Sequence, residues 1–173
     1  NNSPLTIITF QRLTMNIEIL LAIAPFSWGA IGASILCGAI VGLERQLRGK
    51  PVGIRTSSLI VLGTYVFVAV SMLAATDNTD PSRIIGQVVT GIGFLGAGVM
   101  LAKEGAVVGV TSASTIWSLA AVGVCIAVVD SVVAIKLSIV IVAILYGVDL
   151  LEEYSSVFTR GVHTKYNNWR KTR

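Results

Sequence analysis

Long uncharged stretches dominate this sequence and decide what it can fold into. Four gaps between charged residues contain 19 to 25 uncharged residues each. They lie between Glu18 and Glu44 (25 residues), Arg55 and Asp77 (21), Arg83 and Lys103 (19), and Glu104 and Asp130 (25). A helix rises about 1.5 Å per residue, so each gap can cross a hydrocarbon core about 30 Å thick. A fifth apolar run, Ser131 to Val148, is interrupted only by Lys136, whose ammonium group can snorkel to the interface. The gaps therefore predict five membrane-spanning helices.

The composition excludes the common soluble classes. Only 13% of the residues are charged and 54% are hydrophobic, whereas charged residues make up about a quarter of a typical soluble domain. Two cysteines and one histidine are too few for a disulfide scaffold or a zinc ribbon. The apolar runs do not alternate with polar residues as the strands of a membrane barrel do. We expect an all-α polytopic membrane protein, a bundle of five transmembrane helices, with no metal site and no cofactor.

The basic residues predict the orientation in the bilayer. Ten of the 13 fall in the first loop, the third loop or the C-terminal tail, and the others are Arg12, Arg83 and Lys136. By the positive-inside rule, these loops and the C-terminus lie in the cytoplasm and the N-terminus lies outside. The net charge of +4 is then a topology signal and an attraction to anionic lipid. No nucleic-acid partner is expected.

The chain divides into three parts. Residues 1–25 are interpreted as an N-terminal extension and outer interfacial segment, kinked at Pro25 into a first span of about Phe26 to Leu43. Residues 26–148 form the five-span domain. Residues 149–173 form a cytoplasmic amphipathic helix and a basic tail, which lies on the inner leaflet. The first 14 residues precede Met15 and are expected to be foreign or processed sequence.

Small residues predict which helix faces pack closely, because lipid offers no hydrophobic drive between helices. On the first span they recur every four residues, at Ala30, Ser34, Gly38 and Gly42. The third span carries a similar stripe at Gly86, Thr90, Gly93 and Ala97, with Gly91, Gly96 and Gly98 around it. Internal packing of the bundle is the ordinary explanation. The alternatives are a seam between copies of the chain, with a dimer as the simplest homo-oligomer, or the thin wall of a conduit.

The first cytoplasmic loop, GLERQLRGKPVGIRT, is the densest cluster of charge. Glu44 stands where the first span leaves the membrane, and a carboxylate there is tolerated best when it is paired. Its candidate partners are Arg45, Arg48 and Arg55. The candidate functional residues of the loop are Glu44, Arg45, Arg48, Lys50, Arg55 and Thr56. They anchor the topology and clamp the loop, or they form a docking surface for another protein or a gate.

A second candidate site lies at the outer end of the third span and comprises Asp80, Arg83 and Gln87. Asp80 and Pro81 are typical of a helix start, since aspartate caps exposed amides and proline suits the first helical position. Arg83 and Gln87 share a helix face. They line an outer vestibule, or they act only through capping and interhelical hydrogen bonds.

A cluster of hydroxyl groups opens the fourth span. The candidates are Thr111, Ser112, Thr115 and Ser118, with Trp117 as an anchoring or packing residue. The hydroxyl groups either line a path for a hydrated ion, or bond to a neighbouring helix or to their own carbonyls. The second arrangement is the commoner one.

Catalytic and nucleotide-binding motifs find no support. The run GIGFLG, from Gly91, matches the dinucleotide pattern G-x-G-x-x-G. That pattern requires a preceding strand and an acidic residue about 20 positions later, and no acid occurs between Gly105 and Val129. No nucleophile with its base, metal cluster or catalytic carboxylate pair falls within a span. We therefore expect no enzymatic activity.

Three blocks of this sequence resemble the bacterial MgtC/SapB family of inner-membrane proteins. They are GLERQLRGKPVGIRT from Gly42, DPSRIIGQVVTGIGFLGAG from Asp80 and VGVTSASTIW from Val108. The resemblance implies a multi-pass domain in the bacterial inner membrane and a link to magnesium limitation, acid stress and survival within hosts, without implying magnesium transport. Some members add a C-terminal ligand-binding domain. With about 25 residues after the last span, this chain is expected to be a short form.

Two functions fit these observations. The first is a noncatalytic regulator that binds other inner-membrane proteins through its glycine faces and cytoplasmic loop, and so adjusts ion or proton balance under stress. Charge is scarce within the spans, whereas a proton relay or a magnesium cage needs buried carboxylates. The alternative is a homo-oligomeric channel or carrier for magnesium, protons or a small solute, with Asp80, Arg83 and Gln87 at its mouth.

Overall fold

The described chain contains five helices that are long and apolar enough to cross a membrane. The computed structural model describes residues 22–75, 80, 82–103 and 106–154. Its helices are α1 (Trp28–Leu47), α2 (Ile54–Leu73), α3 (Ser82–Val99), α4 (Val110–Val128) and α5 (Ser131–Tyr154). The five spans predicted from the charge gaps are therefore confirmed. Most of the N-terminal segment, Pro81 and the basic tail lie outside the described residues.

Polar side chains explain where several helices begin. The hydroxyl oxygen of Ser27 accepts a hydrogen bond from the Ala30 amide at 3.1 Å, so α1 begins just after Ser27 rather than at Phe26. The Asp80 carboxylate accepts hydrogen bonds from the amide of Ser82 at 2.9 Å and from its hydroxyl at 2.7 Å. Asp130 caps α5 by accepting from the Val132 amide at 2.6 Å. These caps satisfy amides that have no partner within the helix.

Four of the helices form the core, and α3 stands at its edge. α1 and α4 each pack against both α2 and α5. Cys37, Val61 and Leu119 are fully buried where these helices meet. Gly96 is the one buried residue of α3, because this helix packs on α4 and has few contacts with α2. Most of the surface of α3 is therefore free of contact with the described chain.

Glycines make the closest helix contacts. An added Cβ at Gly38 would lie 2.3 Å from the Cα of Ser58, and one at Gly42 would lie 2.5 Å from the Cα of Ile54. On the other side of α2, an added Cβ at Gly123 would lie 2.6 Å from the carbonyl oxygen of Val61. No side chain fits at these distances, so α2 is clamped between α1 and α4 along glycine surfaces.

A short β-hairpin joins α3 to α4, and the sequence pattern does not predict it. Strands β1 (Leu101–Lys103) and β2 (Ala106–Val108) pair antiparallel. Gly109 then leads into α4 with a φ of +93°, a left-handed conformation that favours glycine. An added Cβ there would lie 2.3 Å from the carbonyl oxygen of Val99. The end of α3 and the start of α4 are therefore pressed together at this turn.

Candidate functional site

A cluster of ionic groups, two of them buried, lies at the end of the bundle where α1 and α5 finish and α4 begins. We call them the Glu44 cluster, which comprises Glu44, Arg45, Arg48, Ser112 and Asp149. Glu44 is only 8% exposed and Arg45 only 3%. Charges withdrawn from water to this extent require compensation nearby.

Arg48 connects α1 to α5. It follows Glu44 by one helical turn, and its Nε lies 2.9 Å from Oε1 of that carboxylate. Its Nη1 donates a hydrogen bond to Oδ2 of Asp149, and its guanidinium carbon lies 5.0 Å from the centroid of the Tyr146 ring. Arg48 thus joins two carboxylates and an aromatic face, which supplies a cation–π contact.

Arg45 connects α1 to α4. Its Nη2 donates a hydrogen bond to Ser112 Oγ at 2.9 Å, while its Nη1 lies 3.9 Å from Glu44 Oε2. Among the described residues, neither oxygen of Glu44 accepts an aligned hydrogen bond. The close contact with Arg48 is therefore an ion pair whose N–H is not directed at the oxygen. Charge attraction holds Glu44, and loss of an arginine would leave this buried carboxylate undercompensated.

The predicted loop residues fall into two groups. Glu44, Arg45 and Arg48 belong to the cluster, whereas Lys50, Arg55 and Thr56 are on the surface. Of the three candidate partners for Glu44, Arg45 and Arg48 lie within 4 Å, and in the described part of the chain Arg55 does not. Arg55 and Thr56 instead line a groove of about 690 Å³ between α2 and α3.

The predicted outer vestibule residues occupy different surroundings. Asp80 caps α3, and hydrogen bonds from the hydroxyl and the amide of Ser82 hold the pKa of its carboxyl below its ordinary value. Arg83 is exposed. Gln87 lines the same groove as Arg55, so the structure joins residues from two separately predicted sites.

The hydroxyl groups of α4 bond largely to their own helix. Thr115 Oγ1 donates to the Thr111 carbonyl at 2.8 Å, and Ser118 Oγ donates to the Ser114 carbonyl at 3.0 Å. Ser112 accepts from Arg45, as described above. Trp117 is 54% exposed. These hydroxyl groups therefore bond mainly to carbonyls of α4, and Ser112 bonds to Arg45.

The predicted packing glycines lie in two environments. Gly38 and Gly42 face α2, and an added Cβ at Gly96 would lie 3.6 Å from Ala113 Cβ on α4. At three others, an added Cβ would meet nothing within 4 Å; these are Gly91, Gly93 and Gly98. The stripe of Gly86, Thr90, Gly93 and Ala97 is exposed along its whole length. At about 100° per residue, it lies on the side of α3 opposite the groove.

The family is decided by a match to the MgtC family model over residues 31–154, from α1 to the end of α5. The chain belongs to the MgtC family. It is similar to Putative magnesium transporter YhiD of Escherichia coli (strain K12), at 48% identity over 107 residues, which are 58% of this chain and 49% of that protein. It is also similar to Protein MgtC of Salmonella typhimurium, at 45% identity over 92 residues, which are 53% of this chain and 39% of that protein.

These matches span about half of each relative's length or less. No solved structure matches significantly. With five spanning helices, this MgtC-family chain is a multi-pass membrane protein. The sequence blocks that indicate the family meet in space: the first and third blocks form most of the Glu44 cluster, and the first and second blocks line the groove.

Sequence reasoning missed Asp149, which belongs to the Glu44 cluster, and Tyr146, whose ring contacts Arg48. Asp149 lies 101 positions after Arg48. One signal was available, because Asp149 is the first charge after the apolar run that follows Lys136. With five spans, that position returns to the membrane face that carries the basic first loop. Nothing in the spacing distinguishes Tyr146 from the other apolar positions of α5.

Proposed function

We propose that this MgtC-family chain is a noncatalytic regulator of other proteins in the bacterial inner membrane, active when magnesium is scarce, under acid stress or within a host. The observation that supports this function is the glycine stripe of α3, Gly86, Thr90, Gly93 and Ala97, which is exposed. The Thr90 hydroxyl donates to the Gly86 carbonyl at 2.9 Å. The stripe is therefore smooth and has its hydroxyl group satisfied, which suits close approach by another transmembrane helix.

The described helices do not cover the stripe because they contact other sides of α3, so a partner helix can bind there. α4 contacts this helix through Gly96, and the groove next to α2 lies on the side opposite the stripe. The partner helix belongs to another inner-membrane protein or to a second copy of the chain, with a dimer as the simplest homo-oligomer.

The first loop supplies a second contact surface in this proposal. Glu44 and Arg45 are buried, whereas Lys50 is exposed, so Lys50 is free to meet an acidic partner. The proposal places this loop and the C-terminus in the cytoplasm and the N-terminus outside, because the basic residues concentrate on that side. Labelling of an added cysteine from outside intact cells tests the orientation.

Photo-crosslinking in growing bacteria tests the stripe. A photoreactive amino acid at Ala97 is expected to give protein adducts during magnesium limitation, with a membrane protein or with another copy. The same probe at Ile139, 55% exposed on α5, is the position control and is expected to give none. Gly93→Leu should abolish the adducts and the growth benefit in low magnesium.

Gly32→Leu is the matched control for that substitution, because Gly32 is an equally open glycine on α1. It is expected to leave both adducts and growth unchanged. Equal adducts from Ala97 and Ile139, or adducts that survive Gly93→Leu, would refute a regulatory stripe.

A homo-oligomeric channel or carrier for magnesium, protons or a small solute is the second candidate, because the Escherichia coli K12 relative is named for magnesium transport. Proteoliposomes that contain the purified chain distinguish the two functions. Flux under a gradient that falls when Gln87 or Thr115 is replaced would favour transport. Absence of flux, together with crosslinking that depends on the stripe, supports regulation.

A further inference from the structure

We propose that the groove between α2 and α3 binds one acyl chain of an anionic glycerophospholipid, whose phosphate group is held at Arg55. The groove measures about 690 Å³, within the range of roughly 300–1,000 Å³ that is typical of ligand pockets. It lies on a different side of α3 from the glycine stripe. The proposal therefore stands independently of a partner protein.

The length of the groove suits an acyl chain from one leaflet. Along α2 the lining runs from Arg55 to Phe67, and along α3 it runs back from Leu95 to Ile84. Twelve helical positions on α2 rise about 18 Å, compared with about 15 Å for half of the hydrocarbon core. An acyl chain whose head group lies at Arg55 would therefore reach slightly beyond the bilayer midplane.

Missing side chains keep the groove open. Gly63 on α2 and Gly91 on α3 both line it, and an added Cβ at either position would meet nothing within 4 Å. Between these glycines the lining is mainly apolar, with Thr64 and Gln87 as its polar members. Such a lining suits a hydrocarbon chain.

A positive charge at the interfacial end of the groove favours an anionic head group. Arg55 is exposed in the first turn of α2, where the span meets the interface, and the neighbouring Thr56 offers a hydroxyl donor. Neither the first turn of α2 nor the described lining of the groove contains an acidic residue. In the described part of the chain, no carboxylate lies within ion-pair distance of Arg55. A basic residue at the interfacial end of a groove between helices is the arrangement that binds anionic head groups.

Native mass spectrometry of the full chain tests the site with phosphatidylglycerol and phosphatidylcholine of identical acyl chains. The unmodified chain is expected to retain one phosphatidylglycerol about fivefold more tightly than phosphatidylcholine, as one interfacial cation provides. Arg55→Gln should make the two affinities equal. Lys50→Gln removes an exposed cation of the same loop that does not line the groove, and it should retain the preference.

A second experiment fills the groove with a larger side chain. Gly63→Leu should reduce the binding of both lipids at least fivefold, with an unchanged melting temperature, while Gly32→Leu should leave binding unchanged. Equal binding of the two lipids by the unmodified chain, or an effect of Lys50→Gln as large as that of Arg55→Gln, overturns the proposal. A change in oligomer mass after Gly63→Leu, without loss of lipid, would assign the groove to a second copy and overturn it as well.

Discussion

Two helices of this protein carry nearly the same stripe of small residues and use it in opposite ways. The stripe of α1 is Ala30, Ser34, Gly38 and Gly42, and every member is buried. The stripe of α3 is Gly86, Thr90, Gly93 and Ala97, and every member is exposed. A stripe of small residues allows another helix to approach closely. The connections between helices decide whether a helix of the same chain occupies that position.

The connections differ between the two helices. Residues 48–53 alone separate α1 from α2, and so short a turn forces the two helices to lie side by side. The Glu44 cluster then ties the same end of α1 to α4 and α5. α3 is instead joined to α4 by a hairpin, and its close contact with α4 is on the Gly96 side of the helix.

Alanine substitutions in the two stripes should differ most in stability. Gly38→Ala places a methyl group 2.3 Å from the Ser58 backbone, where neither helix can yield locally. We expect a loss of about 3 kcal/mol or more in the free energy of unfolding. Gly86→Ala gains the same helix propensity, about 1 kcal/mol in a helix interior, and meets nothing, so it should not destabilise the fold. Denaturant titration in detergent measures both, and equal effects would remove the distinction between the stripes.

The Glu44 cluster should account for the next largest effect. Arg48→Met leaves the buried Glu44 with Arg45 alone at 3.9 Å, and we expect a loss of about 2 kcal/mol, since Arg48 itself is partly exposed. Glu44→Gln in the same chain should recover part of this loss because it removes the uncompensated charge. Lys50→Met, an exposed change in the same loop, should have little effect. A loss of equal size from Lys50→Met would contradict an internal role for Arg48.

Leucine substitutions in the exposed stripe should change association and leave the fold almost unaffected. Gly86→Leu with Gly93→Leu adds bulk where nothing lies within 4 Å, so we expect no loss of unfolding free energy. Crosslinks from Ala97 should nevertheless disappear. A large destabilisation would show that the stripe packs inside the folded chain after all.

The caps of α1 and α3 should differ in their response to acid, which is the smallest effect. The pKa of Asp80 is lowered from 3.8, so its capping contribution is complete above that pH and is lost as the pH falls through the lowered pKa. The Ser27 cap does not titrate. NMR titration should show the Ser82 amide shifting with a midpoint below 3.8 while Ala30 stays constant, and Asp80→Asn should abolish the shift.

The five helices could be predicted from the sequence because a helix that crosses the hydrocarbon core needs a long segment with few charges. Every uncharged gap of sufficient length became a helix, and Glu44 found partners among the arginines close to it. The β-hairpin was not predicted, since strands of three residues leave no periodic signal. The contact between Arg48 and Asp149 joins positions 101 residues apart, and local spacing carries no information about such a pair. Residue spacing also cannot show that the stripe of small residues on α1 is buried while the similar stripe on α3 is exposed.

The contact of Arg48 with Asp149 also bears on how the protein is assembled during synthesis. Arg48 enters the membrane edge early, with only the i,i+4 carboxylate of Glu44 beside it. Its second carboxylate, Asp149, is part of the fifth helix and is synthesised about 100 residues later. The contact between Arg48 and Asp149 can form only when translation has passed Asp149. It therefore distinguishes a chain that includes its fifth helix from one arrested before that helix.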